Sequence, residues 1–198
     1  MMHDAKKDIT EYITRYSKAL SEMNHPVLQK ATDFLRTRDY GTIFTAGNGG
    51  SMSTAEHMAA DLNKWTNSGD QKKYIRAQCL NSNPPEMSAL TNDVGWSKVY
   101  ETLLDIYQAK KDDVLIVYSV HGGKGKEKAG QWSENLTGAI DWMNRKDGTT
   151  IGITGGDGGA FKDLCDYCII VPSASTPIVE GLHSVISHII ADSVRAHN

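Results

Sequence analysis

The stretch that most constrains this chain is residues 41–65, GTIFTAGNGGSMSTAEHMAADLNKW. Residues 41–46 are a short apolar run ending in small side chains, the pattern of a buried strand. Gly47-Asn48-Gly49-Gly50-Ser51 follows, and its three glycines can take positive φ or bring backbone amides close to a ligand. Ser53-x-x-Glu56 then reads as a capping box that opens a helix. Strand, glycine loop and helix N-terminus in that order make an anion site, because unpaired N–H groups and the helix dipole point into the loop. One turn further in, His57 and Asp61 stand four residues apart and share a face. An anion cradle and an acid/base or metal-binding pair therefore occupy consecutive turns of one element.

The same loop argues against the two common nucleotide signatures. Gly47-x-Gly49-Gly50 lacks the third glycine of the dinucleotide fingerprint, and no Gly-Lys-Ser/Thr follows as in a P-loop. Around this unit the chain alternates helix and strand patterns. Ile9, Tyr12, Ile13, Tyr16 and Leu20 recur at helical spacing, Pro26 suits a first helical position, and residues 27–35 give a second helix. Further strands are expected at 74–80, 113–119, 149–154 and 167–171. Helices are expected at 86–90, from 97 to about 109, at 132–145 and at 178–196, with loops at 65–73 and 91–96. Such alternation predicts a parallel sheet wrapped on both faces, with ligands beyond the carboxyl ends of the strands. All three glycine-rich loops, at 47–51, 120–126 and 155–159, fall on that side. The two helices before the first strand must pack on the sheet or on another copy of the chain.

A length of 198 residues suits one domain with a substantial core. A net charge of −3, from 21 basic and 24 acidic residues, carries no nucleic-acid footprint. There is no apolar run of the roughly 18–20 residues a membrane span needs and no signal-like segment, so the expected location is cytoplasmic. Cys79, Cys165 and Cys168 suit a reducing compartment. Cys165-x-x-Cys168 has no second pair and stands at the start of an apolar strand, which favours packing over a redox or zinc role.

GNGGS followed by a helix carrying His57-x-x-x-Asp61 resembles the sugar isomerase (SIS) domain family, in particular its phosphoheptose isomerase branch. The likeness continues in Asn92-Asp93-x-Gly95-Trp96 and in the span from His183 to His188, and so covers nearly the whole chain. It implies an α/β fold: a three-layer αβα sandwich with a five-stranded parallel sheet (SIS, flavodoxin-like). It implies a single SIS domain over residues 1–198, with N-terminal helices (1–38) that help build a homotetramer. The implied activity is phosphosugar aldose–ketose isomerisation, similar to that of sedoheptulose 7-phosphate isomerase, with proton transfer through an enediol. The implied partner is a phosphorylated sugar, with no nucleic acid and no membrane. The competing reading is a non-catalytic SIS module that binds a sugar phosphate or a partner protein.

Carried over by position, the resemblance assigns His57, Asp61, Glu180 and His188 to zinc or another divalent metal, two imidazoles and two carboxylates. It assigns catalysis to Asp61 and His188, with Glu180 as a competing base. Substrate contacts are implied for Asn48, Gly49, Gly50, Ser51, Asp93, Ser119, His121, Gly122 and Lys124. Asp93 reads equally as a cap of the next helix, and Lys124 as part of a solvated loop. The chain departs from the family at Asp61 and Gly181, where the family has glutamates, and at Glu180, where it has glutamine. In the second glycine-rich loop Val120, His121 and Lys124 stand in place of hydroxyls. Glu180 and His188 are eight residues apart, about 12 Å along a straight helix, too far to share one ion. Either the last helix begins after Glu180 or the ligands come from different subunits. His183, three residues from Glu180, is the local alternative.

Overall fold

Five strands, all but the edge strand β2 rich in β-branched residues, form one parallel sheet in the order β2-β1-β3-β4-β5. They are β1 (Thr42–Gly47), β2 (Arg76–Cys79), β3 (Val114–Ser119), β4 (Thr149–Gly155) and β5 (Tyr167–Val171). The structure, a computed structural model, describes residues 5–37, 39–65, 75–123 and 133–195. The expected start of β2 at 74, the loop at 66–73, the helical residue 132 and the last helical residue 196 lie outside the described residues. β3 is central and buried at every position, which explains its unbroken apolar sequence VLIVYS.

Alternation along the strands feeds two cores. Ile43, Val114, Ile116, Tyr118, Ile151 and Ile153 face one layer, and Phe44, Ala46, Leu115 and Val117 face the other. The first layer is covered by α1 (Ala5–Ser21), α2 (His25–Thr37), α3 (Gly50–Ala60) and α8 (Thr176–Arg195). The second is covered by α4 (Pro84–Val94), α5 (Val99–Ile106), α6 (Glu134–Arg145) and α7 (Phe161–Leu164). This is the three-layer αβα sandwich the sequence predicts. The N-terminal helices do pack on the body of the domain: α2 lies against β5 and α8, and α1 lies against α8. Gly181 makes the second contact possible, since a Cβ there would sit 3.0 Å from the Tyr16 ring. α1 still leaves Ile9, Tyr12 and Ile13 exposed.

Three differences from the sequence reading bear on the site. α3 begins at Gly50, directly after Gly49, so Ser53 and Glu56 lie inside the helix and no side chain caps it. The turn from strand to helix is made by Gly49 itself at φ +57°, ψ −129°, a conformation open to glycine and costly for other residues. α4 runs on to Val94 and absorbs the loop expected at 91–94. Two prolines at its start and the Asn83 side chain, which accepts from the Glu86 N–H at 3.4 Å, open it; Gly95 at φ +85° closes it. α8 begins at Thr176, four residues before Glu180.

Candidate active site

β1 hydrogen-bonds to β2 on one side and β3 on the other, so the crevice beyond β1 and β3 is the point where the strand order reverses. The loops after these two strands meet there. They enclose a pocket of about 250 Å³ lined by Asn48, Gly49, Ser51, Ser119, Val120, His121, Ser133 and Thr176. The start of α3 is tight: Ser51 N–H donates to the Asn48 carbonyl and Met52 N–H to that of Gly49, both at 3.1 Å. Ser119 Oγ accepts from the Gly122 N–H at 3.1 Å, which leaves its own hydroxyl proton for a ligand. Gly122, at φ +64°, has no room for a Cβ, which would strike the Gly158 carbonyl. The third glycine loop acts as a buttress here: Phe161 N–H donates to the Gly122 carbonyl and Gly155 N–H to that of Val120.

Ser133 and Thr176 line the pocket and were missed in the sequence. Each stands at the start of a helix, α6 and α8, where hydroxyl residues are common and carry no special signal. The second loop lacks hydroxyls at 120 and 121, and Ser133 supplies one from beyond residues 124–132. Lys124 lies outside the described residues.

From this pocket α3 and α8 run side by side in the same direction, in matched pairs. The Glu180 carboxylate lies over Gly50, so close that a Cβ at Gly50 would come within 2.6 Å of it. Thr54 and Ser184 approach to 3.4 Å, and His57 and His188 meet at 3.4 Å between their Nε2 atoms. At that last step Asp61 joins: Oδ1 is 3.5 Å from His57 Nε2 and Oδ2 is 3.6 Å from His188 Nε2. Asp61 opens a π-helical turn, Asp61–Trp65, which continues α3. The histidines are exposed and the aspartate half-buried. Beside them is an open hollow of about 610 Å³ bordered by Val185, Ile189, Ala191 and Asp192.

The donor set fits a divalent metal. Two neutral imidazole nitrogens and a carboxylate are competent ligands, and their spacing of 3.4–3.6 Å is close to the roughly 3.3 Å edge of a tetrahedron with bonds of about 2.05 Å. Glu180 does not reach this cluster within one chain. Both it and His188 are on α8, about 12 Å apart along the axis. A helix beginning after Glu180 is thereby excluded. His183 is no substitute. It is fully buried beside Tyr118, with ring centroids 5.8 Å apart, and faces the sheet. Burial lowers its pKa to about 4, with the Thr154 backbone pulling slightly the other way.

Asp93 does not cap the following helical turn, whose N-cap is Gly95; it is exposed on the last turn of α4. Asn48 turns its amide toward Asn135. The three cysteines are free. Burial pushes the Cys168 thiol up to about 11 and raises Cys165 further, so neither is primed as a thiolate and the packing reading stands. Among the described residues no helix is long and apolar enough to cross a membrane.

Comparison with known proteins places this geometry. The SIS domain family profile matches residues 9–127. The chain is 30% identical over 193 residues to a phosphoheptose isomerase of Helicobacter pylori, covering 97% of this chain and 94% of that one. It is 29% identical over 195 residues to the phosphoheptose isomerase of a Nitratiruptor species, covering 98% of each. It is 39% identical over 152 residues to the lincomycin biosynthesis protein LmbN of Streptomyces lincolnensis, a match that covers 75% of this chain and 54% of that longer protein. Among solved structures, a phosphoheptose isomerase from Francisella tularensis superposes with a TM-score of 0.83 at 21% identity, over 98% of this chain and 100% of that one. The fold is thus shared with solved phosphoheptose isomerases, and by sequence the chain belongs to the SIS domain family, in its phosphoheptose isomerase branch.

Proposed function

We propose that this chain is a phosphosugar aldose–ketose isomerase that converts sedoheptulose 7-phosphate, or a closely related ketose phosphate, to the corresponding aldose phosphate. The observation that carries the reading is the union, on α3, of an anion pocket at one end and the His57/Asp61/His188 cluster at the other, in a chain similar over its full length to phosphoheptose isomerases. The phosphate binds the pocket through the backbone amides of Gly49 and Gly50, the Ser51 and Ser119 hydroxyls and the α3 dipole. His121 and Gly122 complete that wall, and Lys124 and Asp93 are further substrate contacts. A carboxylate, Asp61 or Glu180, takes the proton from the carbon beside the carbonyl and returns it to the neighbouring carbon. His188 moves the proton between the oxygens of the enediol, general acid–base work suited to an imidazole.

His57, Asp61 and His188 would hold zinc or another divalent cation, which supplies Lewis-acid polarisation of the substrate oxygens when bound. Glu180 joins such a centre only across a subunit boundary. That distance, and the exposed Ile9, Tyr12 and Ile13 of α1, support a homotetramer of single SIS domains with sites shared between subunits. Three free thiols support a cytoplasmic location.

The test is incubation of the protein with sedoheptulose 7-phosphate, with the aldose product followed by NMR. Turnover that His188→Ala abolishes is expected. Binding of the sugar phosphate without turnover, with or without added zinc, would favour the non-catalytic module. That second reading draws on Asp61, whose reach is shorter than a glutamate's by about 1.5 Å or less.

A further inference from the structure

We propose that Asn135 is a positioning residue of the anion pocket: it holds the Asn48 amide, and through it the 47–51 turn, in the shape that presents the pocket's N–H groups. The assignment rests on the reading of that pocket as the phosphate site. Asn135 is fully buried in the first turn of α6. Its Oδ1 accepts from the N–H of Leu136 at 2.9 Å, and since a backbone N–H can only donate, the orientation of the amide is set. Its Nδ2 must then face Asn48, and it donates to Asn48 Oδ1 at 3.0 Å while Asn48 Nδ2 donates back to Asn135 Oδ1 at 2.9 Å. Neither amide can flip without setting donor against donor or acceptor against acceptor.

The turn is held from a second helix as well. The buried Tyr100 of α5 donates its hydroxyl to the Gly47 carbonyl at 2.6 Å and stands 3.4 Å from Asn48 Oδ1. Beside these anchors Gly49 takes φ +57°, ψ −129°, one of several backbone states open to a glycine, so its neighbours select it. With its amide committed to Asn135, Asn48 serves the pocket by shaping the turn, and the ligand is met by backbone N–H groups and serine hydroxyls. Ser133, which lines the same pocket, stands two residues before Asn135. One side chain therefore ties the glycine turn to the helix start that carries a lining hydroxyl, and binding needs little rearrangement.

Asn135→Asp is the sharpest variant. It keeps the volume but turns the donor at Nδ2 into an acceptor 3.0 Å from Asn48 Oδ1. Asn135→Ala removes both halves of the pair and guards against an effect of charge alone. The full-length protein is examined by hydrogen exchange with mass spectrometry and by calorimetric titration with inorganic phosphate, alongside sugar phosphate kinetics. In both variants exchange in a peptide spanning 47–52 should rise at least about tenfold and phosphate affinity fall by about tenfold or more, as expected when a buried donor–acceptor pair is broken. Exchange in β3 should be unchanged, and KM should rise by more than kcat falls. Exchange and affinity within about twofold of wild type in both variants would overturn the assignment. So would a uniform rise in exchange that includes β3, which marks Asn135 as a core residue only. A wild type that binds phosphate but turns over no sugar removes the isomerase reading alone, because the Asn135 result is read from exchange and affinity.

Discussion

The two ends of the α3–α8 seam are built on different principles. At the pocket end the groups that matter are backbone amides and hydroxyls, Ser51 and Ser119 are buried, and Tyr100 of α5 and Asn135 of α6 brace the turn. At the cluster end the groups are side chains on two parallel helices, with His57 and His188 both exposed and a hollow at their side. A backbone-built site is complete in one chain. A side-chain site on an open surface lacks walls until something covers it, and Glu180, its fourth expected member, lies two turns away at the other end. On the proposed function, binding and chemistry in this fold are separable, and the chemistry depends on assembly.

The largest effect that would test this separation is at the cluster. His188→Ala should lower turnover by about 100- to 10,000-fold, the range for loss of a general acid–base group, while inorganic phosphate still raises the melting temperature. Loss of the phosphate response in the same variant would merge the two sites into one.

Next in size is an acid effect in the core beneath the seam. His183 is neutral in the fold, with a pKa pushed down to about 4 by burial. A group with a lowered folded pKa gives stability that is fully present above its unfolded value, near 6.5, and lost as pH falls toward 4. Denaturant melts should show a loss on the order of 3 kcal/mol across that window, and His183→Leu should flatten it. An unchanged acid limb in the variant would show that other groups govern it.

How much of this was legible in the sequence follows from the same contrast. The centre of the sheet was readable because β3 is buried on both faces and so spells a nearly continuous apolar run; β5 was placed to the residue. The turn at 47–51 was readable because glycines at that spacing have few other uses. The helix that follows was placed three residues late, since Ser53 and Glu56 mimic a cap that Gly49 already provides. α4 was drawn too short because its stop is Gly95 and nothing earlier. Asn135 was invisible: its partner is 87 residues away and no local pattern marks it. Ser133 and Thr176 resembled ordinary helix starts. The conflict between Glu180 and His188 was visible from the eight-residue spacing alone, and the continuous α8 sharpens it.

A smaller effect concerns Glu180. Gly50→Ala would push the Glu180 carboxylate aside, and because that is the tip of a flexible side chain, stability should fall by less than about 1 kcal/mol. A drop in kcat/KM that Glu180→Gln reproduces without further loss in the double variant would tie Glu180 to the substrate end of the pocket. Independent, additive losses would leave Glu180 a bystander. Smallest is Asp61→Glu, which restores the family's residue. Turnover should be kept or raised, by about tenfold at most, if Asp61 is a base that under-reaches. A fall with the metal retained would make Asp61 a ligand fitted to a different substrate.

The central claim is that this chain passes a proton through an enediol at the His57/Asp61/His188 cluster. The most direct measurement is NMR of sedoheptulose 7-phosphate incubated with the protein in D2O. The account predicts an aldose 7-phosphate, with solvent deuterium at C2 to the extent that the carboxylate exchanges its proton with solvent before returning it, formed by wild type and lost with His188→Ala. Unchanged ketose phosphate, in a sample that binds it and has been offered zinc, would contradict the account.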